Sequence, residues 1–132
     1  MCKARDIIII NSYEDNGNKL NRHSFIVLDD ESGQIRGLSY DMVCNVMSSF
    51  KDDKQKLKKL KYPGNFPITS NDKDTNPNNG RDGYVKAEQL YYFKKDKIDY
   101  QVIGTMNEEV FNKLIKFIEE LNIEINEIID NL

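Results

Sequence analysis

The chain is poor in cysteine and histidine and has no long apolar run. Its apolar runs are no longer than the four isoleucines of residues 7–10, far short of the ~20 residues a membrane helix needs. Cys2 and Cys44 are the only cysteines and have no metal-ligand spacing, so they read as reduced thiols and not as a disulfide framework. Met1-Cys2-Lys3-Ala4-Arg5 leads directly into a strand-like run without a signal-peptide pattern, and a cytoplasmic location is expected. No repeat or linker divides the 132 residues, and a single domain is expected over 1–132.

What is present fits a folded domain: 39% hydrophobic and 31% charged residues. The net charge of −3 is unevenly spread. Residues 107–132 hold two lysines and seven acids, a net of −5, which leaves +2 on residues 1–106. An acidic isoelectric point therefore does not exclude a nucleic-acid surface on the larger part.

"RDIIIIN" (5–11) and "HSFIVLD" (23–29) are short, β-branched or aromatic runs bounded by polar residues, and both read as strands. The polar stretch between them, with Asn16-Gly17 at its centre, reads as a flexible connection. Ser32-Gly33 marks a turn after which "IRGLSY" is expected to return as a hairpin partner. "MVCNVMS" (42–48) is a further strand. Ser49, with Asp52 three residues on, suits a helix N-cap before the lysine-rich stretch 51–61. "YPGNFPITS" restarts extended structure, because prolines and glycine exclude a helix interior. Residues 71–83 form a polar loop in which Asp72, Asp74 and Asn76 imitate a calcium loop; Pro77 and Gly83 stand where that loop needs glycine and glutamate, which rejects calcium. "YVKAEQLYYF" and "DYQVIGT" read as strands joined by a charged turn. From Asn107 onward Val110, Phe111, Leu114, Ile115, Ile118 and Leu121 make one helical stripe, with Thr105 and Glu108 at capping-box spacing. The expected fold class is mainly β with α: a small antiparallel domain, a short lysine-rich helix and a C-terminal helix packed across the sheet.

In this order the segments resemble the PemK/MazF family of toxins from bacterial toxin–antitoxin pairs, over roughly residues 5–121. "RDIIIIN" resembles the family's opening strand and "RHSFIVL" its second strand, where a basic residue precedes proline and valines. "MVCNVMSS" is similar to the strand ending in a catalytic threonine or serine. Ala87-Glu88-Gln89 resembles the family's Ala-Asp/Glu-Gln signature, and "IGTMNEEVFNKLIKFI" its terminal helix. The opening glycine is Arg5 here, and the proline after the basic residue is Ser24. The resemblance implies a compact SH3-like barrel, usually a homodimer, held in check by a cognate antitoxin. It implies a cofactor- and metal-independent endoribonuclease in which the 2′-hydroxyl of single-stranded RNA attacks the adjacent phosphate.

That chemistry needs a proton acceptor, a proton donor and a cation for the developing phosphorane. His23 suits proton exchange because histidine titrates near neutrality. Arg22 suits the cation's role, since a guanidinium grips two phosphate oxygens. Either one aligns with the family's usual arginine, and on a regular strand the two face opposite ways. Ser48 and Ser49 both match the catalytic hydroxyl's position; Ser48 is assigned the hydroxyl, Ser49 the cap or an RNA contact. Lys51, Lys54, Lys56, Lys58, Lys59 and Lys61 either solvate a helix face or track an RNA backbone. Arg81 touches RNA or closes a turn. Tyr84, Tyr91 and Tyr92 stack on bases or serve as strand partners. The alternative function is a non-catalytic binding module on the same barrel, like toxins that bind gyrase through the terminal helix.

Overall fold

The computed structural model describes residues 2–76, 78 and 80–132. In chain order the elements are β1 (Asp6–Asp15), β2 (Asn18–Asp29), β3 (Gly33–Ile35), β4 (Leu38–Tyr40), β5 (Met42–Ser49) and α1 (Asp53–Leu60). They continue with β6 (Asn65–Ile68), β7 (Lys73–Thr75), β8 (Gly83–Lys86), β9 (Gln89–Phe93), β10 (Tyr100–Met106), α2 (Glu108–Glu119) and β11 (Asn126–Ile128). Single 3-10 turns lie at Ser70–Asp72 and Lys95–Lys97.

The run of four isoleucines is explained by a sheet covered on both faces. Ile8 and Ile10 join a cluster with Phe25, Val27, Cys44, Tyr91 and Phe93. Ile7 points the other way, into a cluster with Ile26, Met47, Val85, Met106 and the α2 residues Phe111 and Leu114. Side chains alternate along a strand, so only a two-sided sheet buries neighbours in sequence. Tyr13, Phe25, Tyr91 and Phe93 knit the first face by edge-to-face contacts at ring separations of 4.9 to 5.4 Å. The apolar stripe of α2 covers the second face as its periodicity predicts, with Val110, Ile115, Ile118 and Leu121 partly buried there.

The nine-stranded sheet runs β11-β9-β5-β2-β1-β10-β7, and β8 and β6 branch from β5. The branch arises because β5 changes partner along its length. Met42–Cys44 pair with β9, whereas Met47–Ser49 pair with β8. Asn45, fully buried, stands at the fork and donates its side-chain amide to the carbonyls of Gln89 at 2.7 Å and Ala87 at 3.4 Å. Among the described residues all pairings are antiparallel except β11 with β9.

The expected closed barrel is not formed. Among the described residues, β6 pairs with β8 and β7 with β10, but β6 and β7 do not pair with each other. The chain turns a corner between them, and side chains satisfy its backbone: Asp72 accepts from Thr69 N–H at 2.7 Å and Asp82 from Ser70 N–H at 3.0 Å. The result is an open antiparallel sheet.

Five local expectations also change. The "flexible connection" is a long hairpin: β1 and β2 stay paired to Asp15↔Asn18. Asn16 and Gly17, at φ 50° and 86°, form the two-residue turn whose twist suits such a hairpin. "IRGLSY" does not return on β2; it makes a separate hairpin of β3 and β4 about Arg36-Gly37. Ser49 is not the helix cap, because it is the last residue of β5, paired with Gly83. Asp52 caps α1 instead, accepting from Gln55 N–H at 2.7 Å. Asn107, not Thr105, caps α2 through Val110 N–H at 3.2 Å. The loop expected over 71–83 contains β7, and Pro77 lies outside the described residues. Cys2 and Cys44 are both free and buried, and no helix of the described residues is long and apolar enough to cross a membrane.

Candidate functional site

Pairing between β2 and β5 ends at Ser24↔Met47. Beyond it the two strands leave a cleft of about 380 Å³ lined by Arg22, His23, Ser24, Ser48 and Ser49, among others. It runs into a second cavity of about 220 Å³ shared by Arg22, Ser24, Ser48 and Ser49, to which β7 adds Lys73 and Thr75. The floor is apolar, from Ile7, Ile9, Ile68 and Ile103. A greasy floor with a few converging polar groups is the usual composition of a ligand cleft.

Arg22 and His23 both lie within β2, so strand alternation applies to them. Ser24 is opposite Ile9 and His23 opposite Ile10, which places Arg22 with Ser24 on one face and His23 on the other. Arg22 is exposed and, among the described residues, has no ion-pair partner. The exposed His23 ring meets Tyr13 edge-on at 5.8 Å. Its Nδ1 stands 3.2 Å from the Asn21 carbonyl, which can only accept; Nδ1 then carries the proton and Nε2 is left as the second site.

Lys73 was not singled out from the sequence. Its Nζ donates to the Arg81 carbonyl at 3.5 Å. Burial lowers its pKa from the ordinary lysine value, and the nearby Asp82 and Asp72 carboxylates oppose that shift. Register with β10 carries it to the cleft, Lys73 pairing with Met106 and Thr75 with Gly104.

The other expected RNA contacts divide between surfaces. Lys51 precedes α1, its N–H donating to the Gln55 side chain at 2.6 Å. Lys56 Nζ sits 5.9 Å above the Phe50 ring. Lys58 and Lys59 line a separate groove with Tyr84 and Lys86. Tyr84 is buried, its ring stacked on Phe50 at 5.2 Å. Tyr91 and Tyr92 are buried too, donating to Asp15 at 2.7 Å and Glu127 at 3.1 Å. Arg81 is exposed beside Asp82, whose side chain and carbonyl close the turn onto Ser70 and Phe50.

Comparison with known proteins adds one match. Residues 3–121 fit the model of the PemK-like, MazF-like toxins of type II toxin–antitoxin systems. No curated protein and no solved structure matches the chain. Since that fit takes in nearly the whole sheet and α2, the chain belongs to the PemK/MazF-like toxins, whose type II systems pair each toxin with a cognate antitoxin.

Proposed function

We propose that this toxin is an endoribonuclease that cuts single-stranded RNA in the cleft between β2 and β5. The observation that carries the proposal is the meeting of Arg22 and Ser49 with Lys73 over one apolar floor, with Ser48 at its edge. In this reaction the RNA's own 2′-hydroxyl attacks the adjacent phosphorus and the 5′-oxygen leaves. The products are a 2′,3′-cyclic phosphate and a 5′-hydroxyl, and no group of the protein becomes covalently attached.

Each side chain has a role suited to its chemistry. Arg22 holds two non-bridging oxygens and offsets the charge that builds on the phosphorane. Lys73 adds a second, partly desolvated charge, stronger for being out of bulk water. Ser49, on the same face as Arg22, donates a hydrogen bond to the phosphoryl oxygen, and Ser48 positions the RNA at the rim. His23 reaches the rim from the opposite face of β2 and exchanges protons there through Nε2. Lys51, Lys56, Lys58, Lys59 and Arg81 hold flanking phosphates. The strands that end the sheet, β7 and β11, leave edges available for a two-fold dimer.

Digestion of a defined RNA in chelator, with the termini read by mass spectrometry, tests the reaction. Cyclic phosphate and 5′-hydroxyl ends are expected. Ends of the opposite kind, a 5′-phosphate and a 3′-hydroxyl, would rule out 2′-hydroxyl attack.

A further inference from the structure

On the α1 side of β8 the chain forms a second open groove, of about 390 Å³, between Lys58, Lys59 and Tyr62 on one wall and Lys86 and Glu88 on the other. Glu88 is the unusual member. It is 6% exposed, and its Oε2 has no hydrogen-bond partner among the described residues. Burial pushes its carboxyl pKa up, which a hydrogen bond from its own backbone and the neighbouring Lys86 only partly offset. A buried acceptor left unpaired is costly, and structures rarely keep one without a reason.

The packing around it is equally specific. Gly64 lies directly against the carboxyl: a Cβ there would collide with Glu88 Oε2 and with the Tyr62 ring. Tyr62 is 48% exposed, a large aromatic side chain kept at the surface of the same groove. Oε2 is itself buried, so a ligand reaches it only if this exposed ring turns aside.

The charges around the groove select the ligand. Three lysines beside one carboxyl repel a basic peptide. They suit a molecule that presents anionic groups to the lysines, N–H donors to Glu88 and a flat face to Tyr62. A nucleotide within a single strand has all three. Among bases, guanine offers two adjacent donors, N1–H and N2–H, which a carboxylate accepts in parallel.

We propose that this groove is a guanine-reading subsite for the RNA. Glu88 accepts from N1–H and N2–H, Tyr62 stacks on the ring, and Lys58, Lys59 and Lys86 hold the neighbouring phosphates. The subsite rests on the reading of the protein as an RNA-cutting toxin, and its test separates the two. The probes are 2′-fluoro RNA nonamers, which lack the attacking hydroxyl, made of uridine with a central G, inosine, A or C.

Inosine keeps N1–H but lacks the 2-amino group. Wild type should bind the G probe most tightly, about tenfold tighter than the inosine probe. Glu88→Gln, close to isosteric, should bring the G-to-inosine ratio near one. Tyr62→Ala, at an exposed position, should weaken all four probes by about fivefold or more. Tightest binding to A or C, equal binding of G and inosine by wild type, or an unchanged ratio in Glu88→Gln would overturn the subsite and leave the RNA reading standing. Failure to bind any of the four probes would overturn both.

Discussion

Asn45 lets one strand serve two partners, and removing its amide should be expensive. It is fully buried where β5 leaves β9 for β8, and its Nδ2 reaches the Gln89 and Ala87 carbonyls at 2.7 and 3.4 Å. The shorter bond is well formed; the longer one lies beyond the normal range and contributes little. Asn45→Ala leaves the Gln89 carbonyl without that donor, at about 1–3 kcal/mol. The side-chain volume lost from the core adds to this, for a total of about 2–4 kcal/mol. Against a domain stability of ~5–15 kcal/mol, such a loss is large. Asn45→Asp keeps the shape but turns an acceptor toward two carbonyls, and should cost at least as much. Urea unfolding followed by circular dichroism, with unchanged m-values, measures both. A loss below about 0.5 kcal/mol in Asn45→Ala, the scale of an ordinary surface change, would refute the fork's dependence on this amide.

Gly83 faces Ser49 so closely that a Cβ would collide with the Ser48 carbonyl oxygen. Gly83→Ala should therefore cost about 1–3 kcal/mol in thermal unfolding, as overpacking does, and also slow RNA cleavage by shifting the serines. Replacing Lys56, Lys58 and Lys59 together by glutamine should flatten the salt dependence of RNA binding, by about 0.7 in slope per lost phosphate contact. An unchanged slope would return them to a solvated helix face. Lys73→Met should raise the melting temperature at neutral pH while weakening cleavage. The folded-state pKa of Lys73 lies below its ordinary 10.5, so folding disfavours the charged form. That penalty is fully present below the folded-state pKa and is relieved as pH rises toward 10.5. The stability gap between Lys73→Met and wild type should thus narrow in alkaline buffer, and a constant gap would refute the assignment.

The elements legible in the sequence were those whose signal is local. Isoleucines 7–10, "FIVL" and the α2 stripe carry their own period and formed where expected. The hairpin between β1 and β2 was missed although Asn16-Gly17 announced it. Its arms are mostly solvated, and only Tyr13 and Leu20 pack against the core, so no alternation marks them as strand. The fork at Asn45, the open edge between β6 and β7, and the return of β11 to β9 depend on pairing between distant segments. Within the candidate site, Arg22, His23, Ser48 and Ser49 came from the order of segments. Lys73 did not, because a three-residue strand among turn formers has no period, and its position is set by β10. The burial of Glu88 is equally non-local, with Gly64 brought close against its carboxyl.

The most direct test of the cleft is the cleavage rate of one defined single-stranded RNA at neutral pH. Wild type should be compared with Arg22→Ala and His23→Ala. Arg22→Ala should lose about 100-fold or more, the scale of a lost transition-state charge contact. His23→Ala should lose a similar factor. Cleavage at wild-type rate by both variants would place the chemistry, if any, elsewhere on the molecule and contradict the assignment.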